Sequence, residues 1–179
     1  DAAQLNVFFK KEKQSAITIL QGAFHRYMHE RGFAFCLSGK IWDELLEYWH
    51  ENNLSATTIE GFFRVKTQSF DKFLTGFISN LFIDNKSEMI TVLWGSVYFF
   101  EFLQKYSIIS EKQFAESLET TKELKGVVIG RLTPYLWVSE FVHSWEKPHC
   151  ISETEFSEEK KIFRKSISFK NQDFSELKN

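Results

Sequence analysis

The 179-residue sequence has little glycine and almost no proline, with 8 Gly and 2 Pro. An all-β domain of this length needs many tight turns, which glycine and proline supply, so their scarcity argues against β architecture and favours helices. Cysteine is equally scarce. The two cysteines, Cys36 and Cys150, are too few for a disulfide framework, and a reducing intracellular compartment is the expected setting.

An excess of charge of one sign is also missing. The formal net charge is −2, so the chain lacks the basic field that nucleic-acid binding requires. The sequence contains no phosphate-binding glycine loop, nucleophile elbow or CxxC zinc pair. His25 and His29 share a helix face without a third metal ligand at a recognisable spacing, and a nucleophile at Cys150 beside His149 would need an orienting partner that the sequence does not display. We therefore expect neither an enzyme nor a metal or cofactor site.

Apolar side chains are what the sequence has in abundance. Hydrophobic residues make up 43% of the chain and aromatic residues 17%, which is enough for one domain with a large core. The most apolar stretch, Met89 to Tyr106, is hydrophobic on nearly every side. It predicts a buried central helix rather than a membrane span, because its length is borderline for a span and no basic flank sets an orientation.

Helical periodicity predicts an all-α fold, a single bundle of seven or eight helices around this central helix. Residues 1–13 are expected to be frayed and residues 84–87 to form a polar turn. The predicted helices cover residues 14–31, 40–52, 57–67, 69–82, 89–106, 110–125 and 135–145. The bundle domain is expected to comprise residues 1–151, followed by a charged tail over 152–179 that contains one amphipathic helix.

The second, fourth and central predicted helices carry more aromatic side chains than one small core readily accommodates. Such a surplus predicts either a groove that binds an amphipathic partner helix or a single core filled by all of these rings. The residues alone leave both interpretations open.

Two ordered patterns stand out along the chain. The first consists of Leu81, Phe82, Asp84, Trp94, Gly95, Val97, Phe99, Phe100, Glu101 and Phe102, and the second of Arg31, Gly32, Phe33 and Phe35. They resemble the first and fourth homology motifs of the Bcl-two (B-cell lymphoma-two) family of apoptosis regulators. Trp145 is similar to the tryptophan of the family's second motif, and the resemblance covers residues 15–147.

The chain departs from the family pattern at three places. Ser96 stands where relatives have the arginine that pairs with an aspartate of the ligand, so a bidentate charge-assisted pair is not expected here. His50 and Glu51 replace the Gly-Asp of the third motif, and Lys147 and Pro148 stand where the second motif has Gly-Gly-Trp. These departures resemble those of divergent members, including viral ones and those of simple animals.

The resemblance implies a protein that binds the amphipathic death-motif helices of pro-apoptotic proteins in a hydrophobic groove. The Phe-Phe-Glu-Phe run at 99–102 is similar to that of relatives that inhibit apoptosis, in the cytoplasm or at the mitochondrial outer membrane. The groove wall is expected at Phe73, Phe77 and Leu81, and the floor at Trp94, Gly95, Ser96 and Phe99, where Gly95 would let the ligand backbone approach closely.

Two alternatives from other classes stay open. One is a pro-apoptotic effector that permeabilises membranes, and the other is an interaction protein that kept the fold but lost death-motif binding. Membrane association and homo- or heterodimerisation are likewise left open by the resemblance.

Overall fold

The computed structural model describes residues 2–79 and 83–171, with side chains described for 4–76 and 86–167. The helices are α1 (Ala2–Lys11), α2 (Lys13–His29), α3 (Phe35–Asn53), α4 (Ile59–Phe62), α5 (Thr67–Ser79), α6 (Ile83–Lys105), α7 (Glu111–Leu132) and α8 (Glu153–Asn171), and a 3₁₀ segment (Thr133–Ser144) joins α7 to α8. Within these ranges the chain forms no strand, and the prediction of an all-α fold is confirmed.

Helix α6 is the buried centre of the bundle, as predicted. Every residue from Met89 to Leu103 is buried, and α2, α3, α5, α7 and the 3₁₀ segment pack around it. None of the helices in the described ranges combines the length and hydropathy that crossing a bilayer requires. The predicted polar turn over 84–87 is wrong, because α6 already begins at Ile83. Lys86 lies over the Tyr135 ring at 4.1 Å and Glu88 pairs with Lys40 at 2.9 Å.

An aromatic cluster fills the core where α6 meets α2 and α3. The ring of Phe99 lies 5.1 Å from that of Phe24, 5.4 Å from that of Trp42 and 4.9 Å from that of Trp49, measured between centroids. All four side chains are buried. A large part of the aromatic surplus therefore fills one core, where tilted and edge-on ring contacts add to the stabilisation from burial.

The N-terminal residues form a helix, so the predicted frayed start is wrong. Phe9 is buried against Phe62 of α4, with 5.7 Å between ring centroids. Asn6 Oδ1 accepts a hydrogen bond from the backbone N–H of Ile59 at 3.0 Å. Helix α1 is thus fixed by a buried ring and by a side chain that meets the first turn of α4.

The helix ends agree with the local sequence signals at some positions and not at others. Gly32 has φ +82°, the left-handed conformation that ends a helix, as predicted. Ser110 caps α7, its Oγ accepting from the Gln113 N–H at 3.3 Å. Helix α7 does not end near Lys125 as predicted. It continues through both of its glycines to Leu132, and Pro134 lies at the start of the 3₁₀ segment.

The helix predicted in the charged tail is α8, and it packs against the bundle. Phe163 is fully buried, and its ring lies edge-on to His143 at 4.3 Å between centroids. Glu159 of α8 meets Lys125 of α7 at 3.0 Å. Buried contacts therefore cross the predicted boundary at residue 151.

A buried carboxylate joins α6 to α2 and to the segment before α8. Glu101 accepts hydrogen bonds from the Tyr27 hydroxyl and from the Cys150 backbone N–H at 2.9 Å, and it pairs with Arg31 at 3.1 Å. Burial raises the pKa of Glu101, but the Tyr27 and Cys150 hydrogen bonds and the Arg31 charge outweigh it and leave this pKa below its ordinary value. The ionised form is therefore the one that the fold stabilises.

Replacing Glu101 tests this network. Glu101→Gln leaves Arg31 buried beside a neutral amide, and we expect the free energy of unfolding to fall by about 3–5 kcal/mol. The matched control is Glu116→Gln, which removes an exposed pair with Lys112 at 3.9 Å and should cost less than about 0.5 kcal/mol. Urea denaturation measures both. Equal losses in the two variants would contradict a structural role for the network.

The pH dependence of the same variant has a defined sign. Because the folded-state pKa of Glu101 lies below its ordinary value of 4.5, its contribution to stability is present above that pH and is lost as the pH falls further. The parent protein should therefore lose stability below about pH 4.5 more steeply than Glu101→Gln.

Candidate functional site

Trp94, predicted in the groove floor, faces the C-terminal helix. Its side chain is buried, and Nε1 donates a hydrogen bond to Glu159 Oε1 at 2.6 Å. The Lys125 ammonium lies 4.8 Å from the centroid of the indole, and the Phe163 ring meets it edge-on at 5.9 Å. In the structure Trp94 is therefore covered by residues of α7 and α8.

The Glu159 carboxylate is the electrostatic centre of this contact. It accepts from Lys125 Nζ at 3.0 Å, and His143 Nε2 lies 3.6 Å from it. Burial raises the pKa of Glu159, but His143, the Lys125 ammonium and the Trp94 N–H outweigh that effect and hold the pKa at about 2. Burial also lowers the pKa of Lys125, an effect that Glu159 opposes. The pair is neutral as a unit and joins α7 to α8.

Gly95 is a point of close approach, but its neighbour is a residue of this chain. A Cβ added at Gly95 would lie 2.5 Å from Cδ1 and 2.7 Å from Cγ1 of Ile41. Ile41 is fully buried in α3. The absence of a side chain at Gly95 thus allows α3 to pack on α6, and the position does not face an open groove.

Ser96 and Phe99 lie inside the core as well. Ser96 Oγ donates to the Leu93 carbonyl at 2.8 Å and lies 3.4 Å from Thr121 Oγ1. Phe99 belongs to the aromatic cluster described above. The four floor residues are therefore not brought together as an exposed surface, because each already contacts other parts of the chain. Their role in ligand binding stays a prediction.

A cleft between α3 and α5 contains the one predicted wall residue whose side chain is described. Phe73 is half-buried and packs against Tyr48 and Phe70, with 5.5 and 6.4 Å between ring centroids. The cleft has a volume of about 520 Å³ and is lined by Glu44, Glu47, Glu51 and Asn52 of α3 and by Ser69, Lys72, Phe73 and Gly76 of α5. The side chain of Phe77 and the whole of Leu81 lie outside the described residues.

The α3 wall of this cleft is acidic. Glu44, Glu47 and Glu51 follow one another at i, i+3 and i+7, which places them on one helix face. Glu44 pairs with Lys40 at 2.8 Å. The prediction of an apolar groove did not include these carboxylates, although their spacing is visible in the sequence.

The histidine and cysteine candidates have structural contacts. His25 Nδ1 lies 2.8 Å from Ser38 Oγ, and His29 stacks on Phe35 at 4.6 Å. Burial, reinforced by the Glu101 carboxylate, raises the pKa of the Cys150 thiol to about 12, which favours the protonated form and opposes nucleophilic reactivity. The described residues contain no group of three or more side chains that could together hold a metal ion.

Comparisons with models of protein families, with curated proteins and with solved structures find no match. The resemblance to the Bcl-two family accordingly rests on the sequence motifs. The structure adds an all-α arrangement of helices around a buried central helix.

The contact between Gly95 and Ile41 can be tested by a double-mutant cycle. Gly95→Ala forces a methyl group into a filled core and should lower the free energy of unfolding by about 1–3 kcal/mol. Ile41→Val removes the nearest atom, Cδ1, and costs about 1 kcal/mol alone. We expect the double variant to lose less than the sum of the single losses, because the closest of the three atoms that the added methyl meets is then absent and only the two Cγ atoms, at 2.7 and 3.0 Å, still crowd it.

A matched control for this cycle is Gly130→Ala in α7. Among the described residues, a Cβ at Gly130 meets no atom within 4 Å, so this variant should be more stable by up to about 1 kcal/mol through helix propensity. Additive losses in the cycle, measured by urea denaturation, would show that Gly95 and Ile41 do not interact.

Alkylation distinguishes the two thiols. Cys36 is exposed, whereas a pKa of about 12 at Cys150 leaves only about one thiolate in ten thousand at pH 8. In the native protein at pH 8, iodoacetamide should alkylate Cys150 at least 100-fold more slowly than Cys36. After unfolding in urea, both thiols should be alkylated. Peptide mass spectrometry gives the two rates, and Cys36→Ser isolates the slow one. Comparable native rates would contradict the burial of Cys150.

Proposed function

We propose that this protein is a helix-binding regulator of the Bcl-two type, which sequesters an amphipathic death-motif helix and thereby inhibits apoptosis. The observation that carries the proposal is the cleft between α3 and α5, with Phe73 in its wall. The resemblance of the sequence motifs supports the family assignment, and the cleft supports the proposal that a ligand helix binds between α3 and α5.

The two walls have the geometry that a helical ligand needs. Glu44, Glu47 and Glu51 form one stripe along α3, and Ser69, Phe73 and Gly76 form one along α5. Each stripe covers about two helical turns, or about 10 Å at 1.5 Å per residue. A ligand helix laid along them presents its i, i+3, i+4 and i+7 side chains to the cleft, which is the usual spacing of anchors in helix-in-groove recognition.

The charges of the cleft define the kind of ligand helix. Glu44 is already paired with Lys40 at 2.8 Å, so two carboxylates on α3, those of Glu47 and Glu51, stand against one ammonium on α5, that of Lys72. A ligand with basic residues beside its apolar anchors complements this wall. Ser96 is buried and bonded to the Leu93 carbonyl, so the arginine–aspartate pair of the relatives has no counterpart at this position. Binding should therefore favour the more basic death-motif helices and weaken as salt rises.

Fluorescence anisotropy with a panel of labelled death-motif peptides tests this proposal. We expect submicromolar binding to some peptides, and at least tenfold weaker binding to the variant Gly76→Trp. Within the described part of the chain, a Cβ at Gly76 meets no atom within 4 Å. An indole added there enters the cleft, and replacing a glycine inside a helix also favours helix formation.

Gly22→Trp is the matched control. Gly22 lies on the exposed side of α2, where an added Cβ also meets no described atom within 4 Å, and this variant should bind peptides like the parent protein. If Gly76→Trp also binds like the parent, the ligand does not occupy this cleft. If no peptide binds, the sequestering role is overturned. Dye release from liposomes would then indicate the membrane-permeabilising effector. No dye release would indicate the interaction protein that has lost death-motif binding.

A further inference from the structure

A second cleft lies between α7 and α8. It encloses about 540 Å³, and Val97 of α6 forms its floor. Its apolar lining comes from Val97, Ala115, Leu118, Ile129, Ile151 and Ile162. Gly126 lies on the α7 wall, where a Cβ would meet no described atom within 4 Å, so the space is open at that point.

The shape of the cleft favours a slender ligand over a helix. Its lining extends along α7 from Ala115 to Ile129, about 20 Å at 1.5 Å per residue. Spread over that length, 540 Å³ gives a mean cross-section of about 27 Å², about half that of the α3–α5 cleft, whose 520 Å³ extends over about 10 Å. A volume of 540 Å³ is within the range of sites for small molecules, about 300–1,000 Å³. An extended hydrocarbon chain matches both the length and the volume.

The charges around the cleft favour a cation. Its described lining contains the carboxylates of Glu119, Glu155, Glu158 and Glu159 and the ammonium groups of Lys122 and Lys125. The Lys125 ammonium is held by Glu159 at 3.0 Å, and Glu158 is paired with Lys161 at 2.7 Å, so these two pairs contribute no net charge. The remaining rim has two carboxylates, Glu119 and Glu155, and one ammonium, that of Lys122. A positively charged group is therefore attracted to the rim, and a negatively charged one is repelled.

We propose that the cleft between α7 and α8 binds an aliphatic amine, with its chain over Val97 and its ammonium group at the rim carboxylates, Glu119 among them. The apolar walls exclude water from the chain, so affinity rises with each buried methylene, while the carboxylates select the head group. This site involves other helices than the α3–α5 cleft and does not depend on the proposed function.

Isothermal titration with dodecylamine, kept below the concentration at which it forms micelles, tests the proposal on the intact chain. We expect one saturable site per molecule. Dodecanoate has the same chain with the opposite charge, and butylamine has the same head group with a short chain. Both should bind at least tenfold more weakly. Equal binding of dodecanoate would overturn the charge selection, and equal binding of butylamine would overturn the role of the chain.

Three variants locate the site. Gly126→Trp fills the cleft and should weaken dodecylamine binding at least tenfold. Gly130→Trp places the same side chain on α7 outside the cleft lining, where an added Cβ again meets no described atom within 4 Å, and should bind like the parent. Glu119→Gln, at an exposed rim position, should weaken dodecylamine binding several-fold and reduce its advantage over dodecanoate.

Circular dichroism establishes that each variant is folded. Parent-like dodecylamine binding by Gly126→Trp would overturn the proposal, as would an equal loss in Gly130→Trp. Testing each cleft variant with the ligand of the other cleft distinguishes the two sites. Gly76→Trp should retain dodecylamine binding, and Gly126→Trp should retain any peptide binding, so failure of one proposal is distinguishable from failure of the other.

Discussion

A buried carboxylate near the C-terminal end of an apolar helix constrains the elements that contact it. Glu101 is buried in α6, and it can stay ionised there only if hydrogen-bond donors and a positive charge replace the water it has lost. Tyr27, Arg31 and the N–H of Cys150 supply them. Apolar contacts alone tolerate some sliding of helices, whereas these contacts fix where α2 and the residues before α8 lie. Trp94 lies seven residues earlier on the same face of α6 and holds α8 in the same way through its N–H.

Local sequence patterns predicted the elements whose signals are local. The apolar run of α6, the left-handed Gly32 and the Ser110 cap all depend on neighbours within a few residues. Helix α1 escaped prediction because its contacts with α4, made by Phe9 and Asn6, reach residues more than fifty positions away along the chain. Gly126 raised an expectation of a helix end that the structure overturned, since neighbouring helices stabilise α7 beyond the intrinsic cost of a glycine.

The predicted site depended on which side of α6 each motif residue faces, and a helix that is apolar all round gives no such signal. Trp94 is covered by Glu159, 65 positions later, and Gly95 by Ile41, more than fifty positions earlier. A glycine in a helix indicates that something approaches closely, but it does not say whether that is a ligand or another part of the chain. Phe73 is different, because the amphipathic stripe of α5 already indicated a side chain at the edge of the core.

The 3₁₀ segment between α7 and α8 has a mechanical consequence. Its 12 residues advance about 2.0 Å each, or about 24 Å in all, whereas the same residues wound as an α-helix would cover about 18 Å. A change of pitch in this connector would therefore shorten it by about 6 Å, slightly more than one α-helical turn. The winding of these twelve residues thus sets how far the chain advances between the end of α7 and the irregular residues 145–152 that precede α8.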